Sequence, residues 1–336
     1  PHSDTEIIIN QYFMCHDKRR ITMRGMTRNA AAAAQQLVAR FRRQRPLRGG
    51  SLIVTIFGDS IMPRGGAVSL GSLIALGAPF GLNERLVRTA TSRLAQEGWL
   101  EGRRAGKLSE YHLSKTGRQR FAEATKRIYS APDNAWEGRW TLIVLPPLRT
   151  GERKVLREEL VWRGFGELSP GIFAHPERDA RSLALQRRPA GLQSKIMVFD
   201  ARLTGDDAPQ RLVSLGWDLE DLGLRYRRFV RRFERVQAAL RGQVHLDEQA
   251  CFSVRTLLIH EYRRLHLRDP LLPSRLLRAD WPGTRAAMLC RDIYARVFAP
   301  SEVYLSRVAA RLSGALPAAD ARVLRRFGGI GTARRD

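Results

Sequence analysis

Arg85, Arg88, Thr89, Ser92 and Gln96 fall on one side of a helix when residues 83–97 are set at about 100° per residue, with Arg93 at the flank. Leu82, Leu86, Val87, Ala90 and Leu94 gather on the opposite side. Guanidinium groups donate in a planar fork that matches a guanine edge or a phosphate, so one face is suited to packing and the other to reading duplex DNA. Asn83 is the expected N-cap, because its side-chain oxygen can accept from a free backbone N–H of the first turn, and Gly98 fits the C-terminal stop. Downstream, Leu100 to Arg104 and Ser109 to Leu113 read as two strands around Ala105-Gly106-Lys107, where Gly106 supplies the freedom of a tight turn. Arg103, Arg104 and Lys107 stand at the tip and stem, placed for phosphates or a minor groove. The plainer alternatives are a solvated helix face and a solubilising hairpin edge.

Two other strings carry residue types used in catalysis. Gly58-Asp59-Ser60-Ile61 resembles the Gly-Asp-Ser-Leu block of a serine hydrolase family, which needs a His base from an Asp-x-x-His pair. No such pair occurs near the C-terminal end, and a non-enzymatic chain is expected. His260-Glu261-Tyr262-Arg263-Arg264-Leu265-His266 resembles the zinc motif His-Glu-x-x-His, but its longer spacing turns the second imidazole about 240° from the first. No metal site is expected there. No Gly-x-x-x-x-Gly-Lys-Ser/Thr phosphate loop occurs, and Gly328-Gly329-Ile330-Gly331 has no following helix to hold a pyrophosphate. Cys15, Cys251 and Cys290 are far apart with no CxxC pair, which favours reduced, structural thiols.

Charge points to a polyanionic partner. With 58 Lys and Arg against 33 Asp and Glu, the net charge is +25. Such a field attracts DNA by steering and counterion release, and would attract RNA or an anionic membrane as well. No apolar run approaches the roughly 20 residues that span a bilayer, and the start of the chain lacks a signal-peptide pattern, so a soluble, cytoplasmic protein is expected.

The elements that position these residues divide into modules, since 336 residues exceed one typical domain. Residues 1–45 read as an N-terminal extension without a clear apolar period before residue 29 apart from Ile7-Ile8-Ile9. The run Arg40, Arg42, Arg43, Arg45 and Arg48 fits either a basic arm along DNA or a flexible charged leader. Residues 46–132 give a helix from Leu52 to Phe57, a second from Leu70 to Ala78, the arginine-rich helix, the hairpin and a further helix from Lys115 to Tyr129, which is the order of a winged helix-turn-helix. Pro132-Asp133-Asn134 marks a boundary. Across 133–210, strands at Arg139–Leu145, Gly171–Ala174 and Lys195–Arg202 alternate with helices at Glu152–Arg163 and near Glu177–Gln186, suggesting a ferredoxin-like α+β domain with Trp140 in its core. Residues 211–320 are helical, at Leu219–Leu240, Asp247–Leu267 and Gly283–Leu312. Leu257, Leu258, Tyr262 and Leu265 are expected to face Met288, Leu289, Ile293 and Val297, in a domain suited to dimerisation or ligand sensing. Residues 321–336 form a tail.

Several separated motifs, in order, resemble the PaaX family of phenylacetate-pathway repressors. They are Ser51-Leu52-Ile53-Val54-Thr55-Ile56-Phe57-Gly58-Asp59, Gly81 to Ala90, Gly138-Arg139-Trp140, Leu258 to Arg264, Leu267-Arg268-Asp269-Pro270, Leu272-Pro273 and Trp281-Pro282-Gly283. The resemblance implies a dimeric repressor with a winged helix on operator DNA, a ferredoxin-like middle domain and a helical C-terminal domain, released by phenylacetyl-CoA. A regulator answering to a different aromatic acyl-CoA is the alternative. No cofactor is implied. Asn83, Arg85, Arg88, Thr89, Ser92, Arg93, Arg103, Arg104 and Lys107 are the expected DNA contacts, and Arg263, Arg264 and Trp281 are candidates for the CoA phosphates and the acyl group.

Overall fold

The computed structural model describes residues 29–47, 49–130, 136–176, 196–204, 208–241 and 246–330. The helix expected near Glu177, the turn at Pro132-Asp133-Asn134, Cys15 and Arg48 lie outside them. In chain order the helices are α1 (29–42), α2 (Gly49–Ile56), α3 (Leu70–Gly77), α4 (Glu84–Gln96), α5 (Lys115–Tyr129), α6 (Thr150–Trp162), α7 (Ala208–Gly216), α8 (Leu219–Arg241), α9 (Glu248–His266) and α10 (Pro282–Val308). The strands are β1 (Ala67–Ser69), β2 (Leu100–Ala105), β3 (Leu108–Leu113), β4 (Arg139–Val144), β5 (Gly166–Ser169), β6 (Ile172–His175), β7 (Met197–Arg202), β8 (Ala310–Arg311) and β9 (Gly314–Ala315). This mixed α+β chain divides into two units. One holds the described residues up to Lys126 with Phe229–Glu261 and those from Ala287 on, and the other holds Arg127–Arg228 with Tyr262–Ala286.

In the first unit, α1 replaces the flexible leader that was one reading of this stretch. Ala30, Ala34, Leu37 and Phe41 recur at helical spacing and are all buried, with Phe41 edge-on to Phe80 at 6.2 Å and to His260 at 5.6 Å. α2 runs into a π turn at Phe57–Ile61 and a 3-10 turn at Met62–Arg64. Ser69 caps α3, accepting from the Ser72 N–H at 3.2 Å. The sheet is antiparallel in the order β1-β3-β2, so the short β1, which the sequence reading passes over, borders the hairpin. Gly117 sets α5 directly against the start of that hairpin: a Cβ there would stand 2.1 Å from the Trp99 carbonyl oxygen. Ser114 closes the joint, donating to the Gly98 carbonyl (2.6 Å) and accepting from the Gly117 N–H (2.8 Å).

The C-terminal part differs from expectation at its end. α10 stops at Val308, short of Leu312, and β8 and β9 form a small hairpin. Its chain direction is fixed from outside: Ser72 Oγ accepts from the Ala310 N–H at 2.9 Å, and Glu110 accepts from the Leu312 N–H at 2.7 Å. Leu257, Leu258, Tyr262, Leu289, Ile293 and Val297 are buried as expected, whereas Met288 is 60 % exposed. Cys251 and Cys290 are free and buried, and burial pushes the Cys251 thiol up to about 12.

In the second unit, β5-β6-β4-β7 pair antiparallel in that order, around two layers of side chains. Alternation along β4 explains the layers. Trp140, 2 % exposed, joins Ala174, Val213, Leu272 and Leu276, with Leu142 packed on the same cluster, while Ile143 joins Leu160, Phe165 and Phe173. β5 and α7 are absent from the sequence reading, since each is short and flanked by glycine. His175 ends β6 in a buried position, where desolvation and the Arg127 charge hold its pKa at about 4 instead of 6.5. The neutral ring is therefore favoured by folding, and its stabilisation is complete above pH 6.5 and lost as the pH falls toward 4. His175→Gln is expected to remove this part of the acid sensitivity, roughly 3 kcal/mol by linkage. Urea midpoints at about pH 7 and about pH 4 measure it, and an unchanged acid loss in the variant would assign the sensitivity elsewhere.

Candidate nucleic-acid interface

α4 is exposed along one side and buried along the other. Val87, Ala90, Thr91 and Leu94 are buried, while Arg85, Arg88, Thr89, Ser92 and Arg93 are exposed together with the cap residue Asn83. Leu86, expected on the packing side, is 37 % exposed, and Thr91 is fully buried in its stead. A threonine hydroxyl can satisfy itself within a helix, and that of Thr91 donates to the Val87 and Arg88 carbonyls at 3.0 Å each. The packed stripe is therefore rotated by part of a turn relative to the apolar pattern.

The exposed side is held ready by local contacts. Asn83 Oδ1 accepts from the Leu86 N–H at 2.9 Å, and the Thr89 hydroxyl donates to the Arg85 carbonyl at 2.8 Å. Arg88 pairs with Glu84 at 2.6 Å and Arg93 with Glu97 at 2.8 Å, each one helical turn away and solvent-exposed. Pairs of this kind are worth about 0.3–0.5 kcal/mol, against about 1–3 kcal/mol for a bidentate contact to a base. The glutamates therefore orient the guanidiniums without competing strongly with a nucleic acid.

β2 and β3 place the second set of cations. Gly106, at φ +59°, starts the turn, and the register pairs Arg103 with Glu110, Arg104 with Ser109 and Ala105 with Leu108. Because successive strand residues face opposite sides, Arg103 and Arg104 straddle the hairpin. Arg103, Arg104 and Lys107 are all exposed. Glu110 is buried, accepts from the Leu312 N–H, and lies 2.8 Å from the half-exposed His112. It anchors the hairpin's inner face, a role without a local signal because its partner is 202 residues away.

The catalysis-like strings serve the core. Asp59, 2 % exposed, accepts from Arg255 Nε (2.7 Å), Arg326 Nη1 (2.7 Å) and the Tyr294 hydroxyl (2.9 Å). Arg255, 1 % exposed, also donates to Glu302 at 2.6 Å, and Glu302 pairs with the buried Arg64. Burial disfavours the Arg255 charge, but Asp59, Tyr294 and Glu302 outweigh it and hold its pKa above the ordinary value. Ser60 is buried, and its hydroxyl has no hydrogen-bond partner among the described residues. His260 shares a 3.1 Å hydrogen bond with Thr55, while Glu261 pairs with Arg232 at 2.6 Å. Among the described residues no His, Cys, Asp and Glu group is arranged to hold a metal ion.

Three family models match the chain in succession: PaaX-like protein over 48–117, PaaX protein central Cas2-like domain over 133–213, and PaaX-like protein C-terminal domain over 217–307. The chain is also 36 % identical over 289 residues to the transcriptional repressor PaaX of Escherichia coli K12, covering 85 % of this chain and 92 % of the relative. The chain belongs to the PaaX family. A solved structure of an uncharacterized protein from Mycobacterium tuberculosis is also similar, at 25 % identity and a TM-score of 0.44, over 68 % of this chain and 89 % of that one.

Within this PaaX-family chain, the residues singled out for an effector lie in the second unit. Trp281 packs edge-on to Tyr226 at 6.0 Å and its ring lies against Gly223. Arg263 and Arg264 are half-buried, and desolvation lowers Arg263 to about 10, with Tyr129 opposing that shift. Arg263 stays charged near neutral pH. The Tyr226 hydroxyl donates to Asp269 at 2.7 Å and lies 3.3 Å from His266 Nδ1. No helix among the described residues is long and apolar enough to cross a membrane.

Proposed function

We propose that the chain is a cytoplasmic, non-enzymatic, DNA-binding transcriptional repressor of phenylacetate catabolic genes. The observation that carries this reading is the exposed arginine side of α4 next to a cation-tipped hairpin, in a chain of the PaaX family. The order α2, β1, α3, α4, β2, β3, with β1 bordering β3, supports a winged helix-turn-helix, and the strand order β5-β6-β4-β7 supports a ferredoxin-like middle domain. In the mechanism, a homodimer sets two copies of α4 in successive major grooves about 34 Å apart. Arg85, Arg88, Thr89, Ser92 and Arg93 meet base edges and nearby phosphates, and Asn83 caps the helix at the groove. Arg103, Arg104 and Lys107 position the hairpin. Phenylacetyl-CoA, bound with contributions from Arg263, Arg264 and Trp281, favours a dimer whose half-site spacing no longer fits, because an effector shifts an equilibrium only through its differential affinity.

One titration series tests this. Arg88→Ala should cost about 1–3 kcal/mol on the operator and much less on random duplex. Phenylacetyl-CoA should release the wild-type chain at concentrations where free CoA and phenylacetate do not. Equal losses on both duplexes would reduce Arg88 to a phosphate contact, and release by another aromatic acyl-CoA alone would reassign the signal.

A further inference from the structure

A third basic surface lies outside α4 and the hairpin. Arg40 and Arg42 close α1, Arg43 and Arg45 follow it, and all are exposed. No acidic residue occurs between Asn29 and Leu47 to offset them. The buried stripe of Ala30, Ala34, Leu37 and Phe41 fixes the rotation of α1, so these arginines take different directions. Arg42 Nη2 donates to the Pro79 carbonyl at 2.8 Å, and its stem crosses Gly81. Pro79 and Gly81 lead directly into Asn83, the cap of α4. A Cβ on Gly81 would stand 3.2 Å from Arg42 Cγ, and the +76° φ of Gly81 independently favours glycine, so the loop keeps open the space the arginine occupies. Arg45 donates to the Arg42 and Gln44 carbonyls at 2.8 and 3.0 Å, holding its charge at the end of the same helix. Arg43 lies about 100° further round from Arg42, away from the buried stripe. Arg40 points to the other side, into a shallow cleft lined by Arg232, Phe233 and Glu261.

We infer that Arg42, Arg43 and Arg45 form a clamp for the sugar-phosphate backbone of duplex DNA, bordering the groove that α4 enters. This rests on the repressor reading above. A recognition helix reaches bases with its N-terminal residues, so the segment just before it faces the phosphate wall of the groove. Arg42 is fixed against that segment through one carbonyl, and a guanidinium with five donors keeps four for phosphate oxygens. The contact is blind to sequence and adds to affinity and register, whereas Arg88 on α4 adds to discrimination.

Fluorescence anisotropy across a salt series separates these roles. The probes are a duplex enriched from a random pool by the wild-type chain and a shuffled duplex of the same composition. Arg42→Ala/Arg43→Ala should weaken binding to both by a similar factor, on the order of tenfold, and lower the salt slope by about 0.9 for each phosphate that is no longer neutralised. Arg40→Ala, which removes one charge from the side of α1 opposite Arg42, should change neither. Wild-type affinity and slope in the double variant would overturn the clamp, as would an equal loss in Arg40→Ala, which would point to bulk charge. Should the double variant lose its helical circular dichroism, Arg43→Ala alone carries the test, because that side chain makes no hydrogen bond among the described residues. Failure of the wild-type chain to enrich any duplex would remove the repressor reading itself, a result distinct from an intact binder that ignores the α1 arginines.

Discussion

Asp59→Ala is expected to destabilise the first unit by about 3–5 kcal/mol, the loss typical of removing one partner from a buried ion pair. The cluster holds three guanidiniums, Arg64, Arg255 and Arg326, against two carboxylates, Asp59 and Glu302. Without Asp59, Arg326 loses the carboxylate it donates to and keeps its bonds to the Tyr294 hydroxyl and the residue-59 carbonyl, while Arg255 keeps its pairing with Glu302. Two arginines that are at most 6 % exposed cannot recover water without opening the core. Urea unfolding at neutral pH measures the effect, and a loss below about 1 kcal/mol would mean that the network is solvated in practice. Double variants with Arg326→Ala should show strong coupling, because the two side chains share one buried ion pair. Operator affinity should fall in parallel with stability, although Asp59 is buried and cannot touch DNA.

The largest effect on binding is expected from the hairpin. Replacing Arg103, Arg104 and Lys107 by alanine removes three exposed cations from each protomer, six from a dimer. At about 0.9 per neutralised phosphate, the slope of log affinity against log salt should flatten by about 5. Between about 50 and 200 mM salt, this amounts to roughly a thousandfold less salt-induced weakening than in the wild-type chain. Both faces of the hairpin should contribute, since Arg103 and Arg104 point to opposite sides and can address the two walls of a minor groove. Unaltered stability is expected, because Glu110 and the β3 register hold the hairpin from its inner face. A slope equal to that of the wild-type chain would leave the hairpin as a solubilising edge.

What sequence makes legible here is what short-range chemistry determines. Asn83 caps α4, Gly106 turns the hairpin, and α5 spans Lys115 to Tyr129, because capping, turn geometry and helical period act over a few residues. Exposure of the α4 arginines follows from the same period. The rotation that exposes Leu86 and buries Thr91 does not, since it depends on how α2 and α3 press on α4. Short strands such as β1 and β5 carry too few residues to show an alternation. The string at Gly58-Asp59-Ser60 is ambiguous for a different reason: its meaning lies in Arg255 and Arg326, far along the chain. A buried carboxylate whose partners are distant has the same local appearance as a catalytic one.

That separation has a consequence for biosynthesis. The aspartate precedes its guanidinium partners by 196 and 267 residues, so a ribosome releases the helices flanking it long before their counter-charges have been made. The nascent N-terminal helices therefore carry this acid without its Arg255 partner until 196 further residues are made, and without Arg326 for 267. A premature stop codon ahead of Arg326 should yield chains prone to proteolysis, not a free-standing operator-binding fragment.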